Sequence, residues 1–71
     1  MAENQYDRIL NYLKEHGSIT PMEAFEELGI TRLAARVHEL ERKGIYLDRE
    51  MEKSKNRYGK NSHYMRYWRA M

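Results

Sequence analysis

Apolar residues first recur at Tyr6, Ile9, Leu10 and Leu13, the i, i+3, i+4, i+7 spacing of one helical face. Polar Asp7, Arg8, Asn11, Lys14 and Glu15 fill the positions between, and Gly17 suits the left-handed residue that ends a helix. The spacing predicts a first helix over about residues 4 to 16. Ser18-Ile19-Thr20 reads as a short link whose isoleucine can add a strand-like rung to a sheet. Thr20-Pro21-Met22-Glu23 is a helix start: the threonine hydroxyl can cap, proline suits the first position and Glu23 can reach back. This second helix is expected to run to about Leu28, burying Ala24, Phe25 and Leu28, with Gly29 as its stop. Thr31 offers another N-cap, and Arg32 to Lys43 carry Leu33, Val37 and Leu40 inward before Gly44. Two capped helices joined by Gly29-Ile30-Thr31 make a helix-turn-helix.

After Gly44 the period changes to two. Ile45, Leu47 and Met51 fall on one side of an extended segment, with Tyr46, Asp48 and Glu50 on the other. Polar Glu52 to Ser62 separates this strand from the aromatic-rich His63 to Arg69, which predicts a hairpin with a long basic tip. The fold class is mainly α with a C-terminal β-hairpin (α+β), a single domain over residues 1–71 with the element order of a winged helix-turn-helix. In the last strand both faces are partly apolar. Met65 and Tyr67 can join Ile45 and Leu47 in the core, leaving Tyr46, Tyr64 and Trp68 as an exposed cluster fit for a dimer or a host-protein partner. The register can equally be reversed, or Trp68 can cap the core between the first helix and the sheet.

Length and composition narrow the function. A chain of 71 residues buries only roughly 60% of its unfolded surface, which leaves little interior for an enclosed catalytic site. The absence of cysteine removes disulfides, thiolate zinc sites and a cysteine nucleophile. His16, His38 and His63 lie in different elements, no triad is recognisable, and the four glycines stand singly, not as a phosphate loop. We therefore expect no enzymatic activity, no metal and no cofactor. Met1-Ala2-Glu3-Asn4-Gln5 is not a basic-then-apolar leader, and no apolar run approaches the roughly 20 residues that span a bilayer, so a cytoplasmic location without membrane contact is expected.

The formal charge of +2 is the difference of two opposed halves. Residues 1–29 carry two basic and six acidic side chains, whereas residues 30–71 carry eleven basic and five acidic. From Lys53 onward there are six basic residues, Lys53, Lys55, Arg57, Lys60, Arg66 and Arg69, and no acid, with Asn56, Tyr58, Asn61 and Ser62 interleaved as neutral donors. Such a tract can reach phosphates or enter a narrow minor groove. It can also be a solvated hairpin whose lysines suppress edge-to-edge aggregation.

Steps of 100° around the third helix, with Leu33, Val37 and Leu40 inward, place Thr31, Arg32, Ala35, His38, Glu39 and Arg42 outward. Arg32, in the first turn, can grip guanine O6 and N7; the alternative is a solvated arginine, or one paired with Glu26 or Glu27. Ala35 can let the helix approach a groove floor and meet a thymine methyl, or simply favour helix. Arg36 lies at the edge of the apolar stripe, where a phosphate contact and an ion pair with a carboxylate of the second helix are equally open.

The residues Ile9-Leu10 to Leu13, His16-Gly17-Ser18-Ile19-Thr20, Glu23-Ala24, Leu28 through Arg36 and Asn56-Arg57-Tyr58-Gly59-Lys60 resemble a family of small winged helix-turn-helix proteins common in bacteriophages and prophages. The resemblance extends from about Tyr6 to Arg69. It implies binding of double-stranded DNA, and a regulator of phage transcription or recombination. The candidate DNA-binding residues are Thr31, Arg32, Ala35, Arg36, Lys53, Lys55, Asn56, Arg57, Tyr58 and Lys60. A homodimer could address a palindrome. The alternative is a phage-encoded interaction module that binds a host protein through the aromatic strand, since a fold does not fix a function.

Overall fold

The computed structural model describes residues 4–70. Met1 to Glu3, part of the stretch read as lacking a leader, and Met71 lie outside the described residues. Helices α1 (Gln5–His16), α2 (Pro21–Leu28) and α3 (Leu33–Arg42) precede an antiparallel ribbon of β1 (Leu47–Lys55) and β2 (Asn61–Arg69). This is the order that the sequence predicts.

Local chemistry explains the helix ends. Asn4 Oδ1 accepts the Asp7 N–H at 2.8 Å to start α1, and Gly17, at φ 86°, closes it by donating to the Leu13 carbonyl. At α2 the Thr20 hydroxyl accepts the Glu23 N–H at 3.2 Å while Glu23 Oε1 accepts the Thr20 N–H at 3.0 Å, a reciprocal capping box. The third start differs from expectation. Arg32, not Thr31, is the N-cap residue of α3, and no side chain caps it. Ile30 and Leu33 are both buried, so the connection stays non-helical through Arg32, and the first α-helical bond runs from the Arg36 N–H to the Arg32 carbonyl at 3.2 Å.

Ile9 and Leu13 of α1, Ala24 of α2, and Leu33, Val37 and Leu40 of α3 form one buried cluster with Ile19, Ile30, Leu47 and Tyr67. Phe25 is a correction: it is 57% exposed. Ala24, fully buried, turns its side of the short helix to the core, and Phe25, one step or about 100° further round, falls outside.

The ribbon is longer than apolar patterning predicts. Pairing runs unbroken from Leu47 opposite Arg69 to Lys55 opposite Asn61, so Lys53 and Lys55 are strand residues and the long tip contracts to a tight loop. Asn56 makes that loop. Its backbone N–H donates to the Lys60 carbonyl, its carbonyl accepts from Gly59, and Gly59 takes φ 77°. Glycine in the left-handed region is the requirement of a three-residue hairpin loop. Ile19 adds a single rung on the far side of β2, exchanging two backbone hydrogen bonds with Tyr67 at 2.8 and 2.9 Å. Met65 and Ile45 are half-buried against the core, as the first of the two strand assignments requires.

Thr20→Ala removes the capping oxygen of α2 and is expected to cost about 1 kcal/mol, a fall in melting temperature on the order of 4–8 °C for a domain of this size. Thermal denaturation followed by circular dichroism measures it; an unchanged melting temperature would contradict the role assigned to the box.

Candidate nucleic-acid interface

Side chains alternate across a strand, and residues directly opposite in an antiparallel pair share a face. Applied to the observed register, this sorts the ribbon into two unlike surfaces. Leu47, Arg49, Met51, Lys53 and Lys55 share one face with Arg69, Tyr67, Met65, His63 and Asn61. Asp48, Glu50, Glu52 and Ser54 share the other with Trp68, Arg66, Tyr64 and Ser62. The first face holds every lysine of the strands and no carboxylate. Its root packs on the helices through Leu47 and Tyr67.

Arg49 ties this basic face to α3. Its Nη2 lies 2.6 Å from Glu41 Oε2, and its guanidinium lies 5.4 Å from the centre of the Tyr67 ring. The hydrogen bond from Arg49 holds the Glu41 carboxyl below its ordinary pKa. On the opposite face Arg66 is an internal clamp. Its Nε donates to Glu52 Oε1 at 2.8 Å and its Nη1 to Ser18 Oγ at 2.9 Å, with Glu23 Oε1 at 3.8 Å. Arg66, and after it Tyr64, lower the Glu52 pKa by hydrogen bonding. Arg66 thus belongs to the structure of the ribbon root and not to the basic tract in which the sequence counts it.

Lys53, Lys55, Arg57, Tyr58 and Lys60 are exposed, Tyr58 at 80%. Among the described residues none of these four cations forms an ion pair. Asn56 has a different part from the neutral donor expected of it. Its Oδ1 accepts the backbone N–H groups of Tyr58 at 2.9 Å and Lys60 at 3.1 Å, so it shapes the loop that presents Arg57 and Tyr58. With principal extents of 42 × 27 × 21 Å the molecule is elongated. The nine-residue strands, each near 30 Å long at about 3.3 Å per residue, supply that length, because only their Leu47 and Tyr67 end is buried.

On α3 the exposed side chains are Ala34, His38 and Arg42, preceded by Thr31 and Arg32 in the turn. Ala35 is half-buried, so the alanine most open to a groove is Ala34, which the 100° projection does not single out. Arg32 is exposed and forms no ion pair among the described residues, neither with Glu26 nor with Glu27. Arg36 is half-buried, and its carboxylate partner comes from its own helix instead of α2: Nε lies 3.1 Å from Glu39 Oε1, close enough for an ion pair but not aligned for a hydrogen bond. Glu39 also accepts the Tyr6 hydroxyl at 2.9 Å, which raises the Tyr6 pKa, and Lys43 Nζ stands 4.0 Å from the centre of the Tyr6 ring. The C-terminal half of α3 is therefore tied to α1, while its N-terminal turn stays open. Tyr46 is 62% exposed, whereas Tyr64 and Trp68 are half-buried on the ribbon face turned from the core. Trp68 is not among the residues packed on the core. Among the described residues no group of His, Asp or Glu could hold a metal ion, and no helix is long and apolar enough to cross a membrane.

Three helices followed by a two-stranded antiparallel hairpin define a winged helix-turn-helix, and the family model of the winged helix-turn-helix domain matches residues 4–69. The chain belongs to that family, whose fold suggests DNA binding. No curated protein and no solved structure matches it.

Because the Glu41 and Glu52 pKa values are lowered in the fold, both carboxylates add stability that is present above about pH 4.3 and lost as pH falls through the lowered values. Thermal melts across the acid range should show a falling limb that Glu41→Gln with Glu52→Gln flattens. Both groups are solvent-accessible, so the effect is modest; an acid limb of unchanged slope in the double variant would refute the assignment.

Proposed function

We propose that this protein is a small regulator that binds double-stranded DNA with sequence preference and acts in phage or prophage transcription or recombination. The first turn of α3, with Arg32 and Ala34, enters the major groove. Lys53 and Lys55, followed by Arg57 and Lys60 of the loop, lie along the adjacent backbone or minor groove. The observation that carries this reading is the sorting of charge on the ribbon: the face continuous with α3 is basic and free of carboxylates, and Asp48 and Glu50 stand on the reverse. Phosphates therefore meet an attractive potential on one side only. The acidic α1 and α2 half is turned away from the duplex in this arrangement. Regulation here is by binding, without catalysis.

Fluorescence anisotropy with labelled duplex DNA tests it. Affinity should fall steeply with salt, and Lys53→Ala with Lys55→Ala should make the log–log salt slope shallower by about 0.9 for each phosphate that is no longer neutralised. Arg32→Ala should cost about 1–3 kcal/mol on a preferred site and relax preference at one position. Absence of duplex binding at low salt would overturn the proposal.

A further inference from the structure

β1 is an open edge. β2 is flanked by β1 on one side and by the Ile19 rung on the other, and no described element pairs with the outer side of β1. The Tyr67 N–H and carbonyl both bond to Ile19, so they point away from β1. Arg49, directly opposite Tyr67, accordingly turns its own N–H and carbonyl outward, as do Met51, Lys53 and Lys55 by alternation. The bond from the Ala70 N–H to the Tyr46 carbonyl and that from the Asn56 N–H to the Lys60 carbonyl show the complementary set facing into the ribbon. At Leu47 the edge is covered, because its carbonyl lies 3.5 Å from Arg49 Nη2. The open ladder thus begins at Arg49 and ends at Lys55.

The side chains along this edge are selective. A strand added there would lie beside Asp48, Glu50 and Glu52 on one face and beside Arg49, Lys53 and Lys55 on the other. On the acidic face Tyr64 and Trp68 stand on β2, opposite Glu52 and Asp48. A second copy does not fit. Two β1 strands joined antiparallel about a two-fold bring like faces together: with the Met51 residues opposite, Arg49 falls beside Lys53 and Glu50 beside Glu52. Like charges directly opposite are destabilising, so the edge guards itself against self-pairing.

The geometry points to β1 as a docking edge for an extended segment of another protein, one in which basic residues alternate with acidic ones so that lysines or arginines meet Asp48 and Glu50 while carboxylates meet Lys53 and Lys55. Backbone hydrogen bonds from Arg49, Met51 and Lys53 supply affinity, and the two charged faces supply register. The carboxylates of the segment would occupy the cations of the basic face.

A synthetic peptide matching β1 in length and alternating lysine with glutamate is the probe, with a control of the same composition carrying its lysines and glutamates in separate blocks. Amide NMR shifts on titration should map to Arg49, Met51 and Lys53, and the fluorescence of Trp68, the single tryptophan, should change. Met51→Pro deletes an outward N–H without touching the ladder to β2, and should weaken the alternating peptide by about tenfold or more, whereas Met51→Ala should leave it within about twofold. Asp48→Lys with Glu50→Lys should weaken it similarly, and reads the same edge should the proline variant fail to fold. No shifts at millimolar peptide, equal binding of the blocked control, or undiminished binding by a folded Met51→Pro protein would each overturn the proposal.

Discussion

The two backbone hydrogen bonds between Ile19 and Tyr67 set the phase of the whole ribbon. They hold one residue of β2 with its amide edge toward the α1–α2 link and its ring in the core. With Tyr67 fixed, every other side chain in both strands is assigned to a face, because the strand period is two and a one-residue slip would exchange the faces entirely. Leu47 at the root of β1 and the Arg49–Glu41 pair impose the same phase from the α3 side. The charge separation of the wing is thus a consequence of a few contacts at its base.

That dependence explains a division of labour among the arginines. Arg66 and Arg49 each pair with a carboxylate of another element and hold the two together, whereas Arg36 pairs with Glu39 of its own helix. Lys53, Lys55, Arg57 and Lys60 lie beyond the core, where no carboxylate of the described residues is within pairing distance. The molecule is rigidly specified at one end and leaves its cations uncommitted at the other. Asn56 shapes the loop at the far end without a core, using one carboxamide oxygen for two backbone amides.

Helix positions, both glycine stops near the turn and the capping box at Thr20 are legible in the sequence, as is the winged order of elements. Where sequence and structure differ, one cause recurs: apolar character is an incomplete guide to position. Phe25 is apolar and reads as core, yet α2 has room for only a narrow inward face. Glu52 to Ser62 has no apolar alternation, Tyr58 standing alone, and reads as a loop, yet a strand can be specified by its turn and its backbone partner. The alternation of Asp48, Glu50 and Glu52 with Arg49, Lys53 and Lys55 is a period-two signal of charge, which a search for apolar periodicity passes over.

By itself the sequence determined the periods, caps and stops, because these depend on residues three or four apart along the chain. It also determined the net imbalance between an acidic first half and a basic second half. Only the tertiary structure decided which arginines are paired, where α3 begins, which face of the ribbon meets the helices and which edge of β1 stays open. Those outcomes depend on contacts between residues that are not local neighbours in the chain, such as Ile19 with Tyr67, Glu41 with Arg49 and Ser18 with Arg66, whose distances no local pattern encodes.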